Sequence, residues 1–271
     1  MPCPVSLEKM PLTAATGISS SRDTPEKRAA FTAKLVDDAR RDIFLNTQVG
    51  KDQAAGSGST ERSDVSQSNP VPTPPFWGAR VERDIPLDEV FALLDLNELY
   101  RLQWGGRGSG PEWEKNVKEV FEPALARLTA DAKANGWLRP QAVWGFFPVQ
   151  SSGNQLVVYE PAAYAATGEK REIARFSFPR QGGLERLCLA DYFRSVESGE
   201  VDVAAFQTVT VGDDATRRFE QLQGAGEYGE AFFVHGIAVE AAEAVAQWTH
   251  RQVRSLLGLR GAQGKRYSWG Y

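Results

Sequence analysis

Residues 50–75 divide this chain. Gly56-Ser57-Gly58-Ser59-Thr60 gives way to a Ser, Asn, Asp and Gln stretch, and then to Pro70-Val71-Pro72-Thr73-Pro74-Pro75. A glycine-serine run behaves as a flexible coil and a proline-rich run as a stiffer, extended one; neither supplies apolar surface for a core. All seven tryptophans follow this stretch. The sequence therefore predicts a folded domain over 76–271 and a linker over 47–75.

Before the linker one element is legible. Thr24-Pro25-Glu26-Lys27 has the form of an N-cap, a proline at the first helical position and an acidic first turn. Phe31, Leu35, Ala39 and Ile43 then recur every four residues, which predicts an amphipathic helix from Pro25 to Phe44. A lone helix builds no core, so it should belong to something larger. Residues 1–18 carry no assignable pattern.

Within 76–271, Asp84-Ile85-Pro86 opens a helix with Leu87, Val90, Phe91 and Leu94 on one face. Gly110-Pro111 opens a second, which Gly136 ends. Strand-like runs follow. Ala142 to Phe147 is expected to stop at Pro148. Gln155 to Tyr159 comes after a Ser-Ser-Gly-Asn turn signal, which predicts a hairpin. Glu172 to Phe178 alternates, and Val201 to Val211 is apolar and β-branched. A last long helix is expected over Val239 to Leu257. Helices at both ends with strands bunched between them predict an α+β fold: a largely antiparallel sheet with flanking helices, preceded by a helical segment and a flexible linker.

Composition removes several function classes. The net charge is -4, with 24% charged residues, against the basic patch that nucleic-acid binding requires. No apolar run is long enough to span a bilayer, and Met1 to Lys9 lacks the form of a secretory signal. Cys3 and Cys188, the only cysteines, suit free thiols in a reducing compartment; the expected location is cytoplasmic. His235 and His250 stand apart, and no zinc-ligand spacing is present, so no metal is expected. There is no nucleophile–base pair, no GxxxxGK[ST], and no GxGxxG after a strand. A free-standing methyltransferase is disfavoured because no strand followed by a glycine-rich turn and an acidic strand end appears in the usual order.

Three charged residues stand out. Asp95 lies inside the apolar segment Leu93-Leu94-Asp95-Leu96 at a helix end, where a buried carboxylate would need a partner; its ordinary reading is a solvent-facing helix terminus. Glu243 lies among alanines, where the ordinary reading is an exposed helix glutamate. Arg266 lies in Gly264-Lys265-Arg266-Tyr267-Ser268-Trp269-Gly270-Tyr271, a loop suited to a planar, charged ligand; its guanidinium can hold a carboxylate bidentately. Two acids and one arginine suit a zwitterion. Composition reaches no further than a site for a small charged ligand.

Several motifs occur in an order that resembles the activation domain of cobalamin-dependent methionine synthase. They are Leu94-Asp95 with Tyr100 and Trp104, Trp144-Gly145-Phe146-Phe147-Pro148, Cys188-Leu189-Ala190-Asp191-Tyr192, Glu243 with His250 and Arg254, and Arg266-x-x-x-Gly270-Tyr271. The last has the spacing of the family's AdoMet motif. The resemblance covers about Phe76 to Tyr271. More weakly, residues 19–46 look like the final helix of the preceding cobalamin-binding domain.

The resemblance implies a domain that binds S-adenosyl-L-methionine (AdoMet) and presents it to oxidised cobalamin held by another domain or chain. A flavodoxin-like protein or flavoprotein reductase would supply the electron, and AdoMet the methyl group, restoring methylcobalamin for methionine biosynthesis. It also implies side-chain contacts from Asp95, Glu243 and Arg266, and loop contacts from Ser268, Gly270 and Tyr271. The family's domain continues past its Gly-Tyr pair and its cobalamin-ligand motif has no copy here. The expectation is therefore a fragment, incomplete at the C-terminus of the activation domain. It would be part of a methyltransferase but not catalytic alone. The alternative is an interaction or inert fragment without a competent ligand site.

Overall fold

The computed structural model describes residues 61–182 and 186–259. The helix expected over Pro25 to Phe44 lies outside them. The chain divides into two compact units, one of Met1–Asp64 and Pro179–Leu189, the other of Val65–Phe178 and Ala190–Tyr271. In the smaller unit the buried Arg180 guanidinium donates to the Arg186 carbonyl at 2.7 Å, and the Gln181 N–H to that of Leu187 at 3.0 Å. The elements named below belong to the larger unit.

The sheet is built on one long strand. β1 (Gly78–Glu82), β2 (Gln141–Ser152), β3 (Gln155–Tyr159), β4 (Glu172–Ser177) and β5 (Asp202–Thr210) pair antiparallel throughout. β2 pairs with β1 through 142–146, with β5 through 141–149 and with β3 through 149–152. The β2–β3 hairpin forms where the Ser-Ser-Gly-Asn signal predicts it, with Gly153 at φ 55 opening the loop. Such a glycine lets a short loop follow the twist of the two strands.

β2 does not stop at Pro148 as the sequence suggests. Pro148 falls after Phe146, the last residue opposite β1, and before Val149, the first opposite β3, so only Val203 of β5 faces it. A missing N–H is tolerated where one flank has no partner strand. Gly145 has the opposite character. A Cβ there would lie 2.0 Å from the Gly78 carbonyl oxygen, so β1 can close on β2 only because this residue is glycine.

The helices follow their caps. α1 (Leu87–Phe91) and α2 (Leu96–Glu98) are short, and a π-helical turn over Leu99–Gln103 continues α2. α3 (Gly110–Asn116) and α4 (Glu122–Asn135) are joined by a second π turn, Val117–Phe121. Pro123 stands in the first turn of α4. A proline within a running helix forfeits one hydrogen bond and crowds the carbonyl four residues back, and a widened turn absorbs both effects. Gly136, at φ 64, ends α4 with its N–H on the Ala132 carbonyl, as the sequence predicts.

Two further helices, α5 (Pro161–Thr167) and α6 (Asp213–Gly224), have no counterpart among the elements the sequence predicts. α6 is charged, and its inward stripe is only Ala215, Phe219 and Leu222. The last helix among the described residues, α7 (Tyr228–Leu256), begins well before Val239. Ala142, Trp144 and Phe146 of β2 face a core completed by Leu99, Leu128, Val234, Ile237 and Val245. A smaller cluster of Val149, Leu156, Val158 and Ala204 lies further along the sheet. The fold is α+β: a five-stranded antiparallel sheet with flanking helices.

The described part of the expected linker has no helix or strand up to β1. Residues 67–69 are nonetheless held in place. Gln67 Nε2 donates to the Asp191 and Phe193 carbonyls at 3.0 Å each, and Arg194 donates to the carbonyls of Gln67 and Asn69.

Candidate ligand-binding site

The site is organised by one face of α7. Phe233, Gly236, Glu240 and Glu243 follow one another at three- and four-residue intervals, so they line the same side of the helix. The segment from Asp95 to Gly106 lies along that side. Trp104 is its anchor: Nε1 donates to the Phe233 carbonyl at 3.1 Å, and the indole meets the Phe233 ring edge-on at 4.8 Å. The indole rests on Gly236, where a Cβ would come within 2.5 Å of Cδ1.

Behind Trp104 the Tyr100 ring stacks on the indole at 5.6 Å between centroids, and the Phe121 ring stacks on Tyr100 at 5.3 Å. Gly106 closes the segment, its N–H on the Tyr100 carbonyl at 2.7 Å. Each of these rings is large apolar surface taken from water, and together they fix the segment against α7.

With that segment fixed, Asp95 falls beside α7. It is exposed and caps α2: Oδ1 accepts the N–H groups of Asn97 and Glu98, both at 3.0 Å. This corrects the picture of a carboxylate sunk in an apolar segment. Leu93 and Leu94 turn toward the core, and Asp95 begins the next helix with its side chain on the helix's unsatisfied amides.

The buried carboxylate belongs to Glu240. It is 5% exposed, and its Oε1 accepts the Asp95 N–H at 3.1 Å. Burial pushes its pKa up from 4.5 to about 7; the Asp95 N–H opposes the rise, and the charges of Asp95, Glu243 and Glu98 add to it. Glu243 is half-buried one turn along α7. Asp95 and Glu243, far apart in sequence, thus act on the same buried group.

Glu240 is not among the residues that the sequence alone singles out. Its signal is a charge set among Ile237, Ala241 and Ala244, all buried on α7; a carboxylate at that phase of the helix is enclosed unless the helix turns outward. Arg266, Ser268, Gly270 and Tyr271 lie outside the described residues. The negative charges of Asp95, Glu98 and Glu243 acting on Glu240 suit a cationic ligand and disfavour an anion. Among the described residues no three His, Cys, Asp or Glu side chains are grouped to hold a metal ion. No helix among them is long and apolar enough to cross a membrane.

Comparison with known proteins places this geometry in a context. Residues 87–260 match the family described as "Vitamin B12 dependent methionine synthase, activation domain". The methionine synthases of Mycobacterium tuberculosis and Mycobacterium leprae are each 38% identical over 211 residues, which is 74% of this chain. The chain spans 17% of the length of each. A crystal structure of the MetH reactivation domain bound to AdoHcy shares the fold at a TM-score of 0.60 and 20% identity. The match covers 70% of this chain and 59% of that one.

Proposed function

The chain belongs to the family of vitamin B12-dependent methionine synthase activation domains, and from that premise we propose that its 76–271 region binds AdoMet for the reductive remethylation of oxidised cobalamin. The observation that carries the reading is that Glu240 of α7 accepts the Asp95 N–H while its carboxyl feels the charges of both Asp95 and Glu243. AdoMet presents an ammonium and a sulfonium, and both are stabilised by a carboxylate cluster. The AdoHcy bound by the related reactivation domain is in keeping with it.

In this reading Asp95 and Glu243 take the cationic groups of AdoMet. Arg266 takes its carboxylate through a bidentate contact, and Ser268, Gly270 and Tyr271 line the ligand. Residues 19–46 are the last helix of a cobalamin-binding domain and 47–75 the linker from it. Cobalamin is held by that domain and not by this region. The electron comes from a flavodoxin-like or flavoprotein reductase, and the setting is the cytoplasm.

Calorimetric titration of this chain with AdoMet and with AdoHcy tests the reading. Saturable one-to-one binding, weakened by Arg266→Ala, is the expected result. No heat and no competition with labelled AdoMet would remove it in favour of an interaction fragment without a ligand site.

A further inference from the structure

The contact between Glu240 and Asp95 is expensive for what it does as a fastener. A single N–H needs only a neutral acceptor, and a glutamine or serine oxygen would serve with far less penalty for burial. Here the acceptor is a carboxyl group almost wholly enclosed, with Asp95 and Glu98 facing it from the α2 side and Glu243 from its own helix. Trp104 already anchors the far end of the same segment through Phe233 and Gly236. Glu240 holds the near end, at the N–H of Asp95, whose side chain is exposed.

Resting on the AdoMet reading above, we propose that Glu240 is a positioning residue for the ligand site. From its buried place on α7 it grips the Asp95 backbone and so sets the separation between the Asp95 and Glu243 carboxylates.

This arrangement couples the grip to occupancy. Burial, with the charges of Asp95, Glu243 and Glu98 adding to it, opposes a charge on Glu240 and holds its pKa at about 7, so while the site holds no cation part of the population keeps its proton at neutral pH. A cation placed between Asp95 and Glu243 relieves that opposition. Glu240 then ionises, its proton passing to solvent, and the ionised oxygen accepts the Asp95 N–H more strongly than the neutral one did. Binding of a cation tightens the turn that binds it, and the two processes are linked by one proton.

The experiment uses the whole chain and two variants, Glu240→Gln and Glu240→Ala. AdoMet is titrated calorimetrically at pH 6.5 in buffers of different ionisation enthalpy, which counts protons released on binding. Wild type should release a measurable fraction of a proton. Glu240→Gln keeps an acceptor oxygen and should hold AdoMet with similar affinity but without that release. Glu240→Ala loses the acceptor and should bind about tenfold more weakly or worse.

Equal affinity in wild type and a folded Glu240→Ala overturns the inference and leaves the AdoMet reading intact. So does a proton count unchanged in Glu240→Gln, which decides the matter even where the alanine variant does not fold. A wild-type chain that binds no AdoMet removes the reading, and the inference falls with it.

Discussion

A Cβ on Gly236 would lie 2.5 Å from Cδ1 and 2.6 Å from Nε1 of Trp104, so α7 and the π turn touch where only glycine fits. Alanine for glycine inside a helix ordinarily stabilises by about 0.5–1 kcal/mol. Here the indole has little freedom to retreat, because Nε1 is bonded to Phe233 and the ring stacks on Tyr100. Gly236→Ala should therefore destabilise by about 1–3 kcal/mol, the usual cost of overpacking. Urea unfolding followed by tryptophan fluorescence measures it. A gain in stability would show that the indole has room to move.

Gly145→Ala should be worse. The clash is with backbone, at 2.0 Å from the Gly78 oxygen and 2.7 Å from the Ala79 Cα, and no rotamer relieves it. The loss should reach about 3 kcal/mol or more, beyond ordinary overpacking. Amide exchange should become fast across 142–146, the residues paired with β1. Retained protection there would mean that β1 can shift without separating.

These two glycines mark where the sequence was legible and where it was not. The hairpin, the Gly136 stop and the antiparallel sheet follow from local signals: a turn residue, a left-handed cap, alternating side chains. Pro148 and the early start of α7 did not. A proline reads as a strand end and Gly229 and Gly236 as poor helix, yet both are settled by neighbours distant in sequence: a gap between partner strands, and an indole. Asp95 could be singled out as unusual, but its capping role depends on where α2 begins. Glu240 reads as one more helix glutamate, because its burial comes from packing on a segment more than a hundred residues earlier.

Glu240 should also leave a mark on stability against pH. Its folded pKa of about 7 lies above the ordinary 4.5, so between those values the folded state holds a proton that the unfolded state has lost. Stability then falls as pH rises across that window and levels off above pH 7. The full fall is roughly 3 kcal/mol at most. Glu240→Gln keeps an acceptor for Asp95 and removes the titration. Its stability relative to wild type should be near zero at pH 5 and should grow through pH 7. Parallel urea-midpoint profiles for the two proteins from pH 5 to 8 would show that the buried carboxyl does not titrate in this range.

Asp95 permits the ligand contact to be separated from the fold. Its Oδ1 is occupied by the amides of Asn97 and Glu98, and an asparagine oxygen can accept both. Asparagine is as good an N-cap as aspartate, whereas alanine loses about 1 kcal/mol. Asp95→Asn should thus leave stability within about 0.5 kcal/mol of wild type, and Asp95→Ala should lower it by about 1 kcal/mol. Ligand binding divides the variants differently, because both have lost the charge. AdoMet affinity should fall by a similar factor in each, about three- to tenfold for a solvent-exposed carboxylate facing a cation. AdoHcy lacks the sulfonium and should be less affected. Removing the Asp95 charge also takes one repulsive neighbour from Glu240, whose pKa should drop below 7. Thermal unfolding and paired AdoMet and AdoHcy titrations on the two variants give all of these quantities. If Asp95→Asn binds AdoMet as tightly as wild type, the carboxylate only caps α2, and the cation must be met elsewhere.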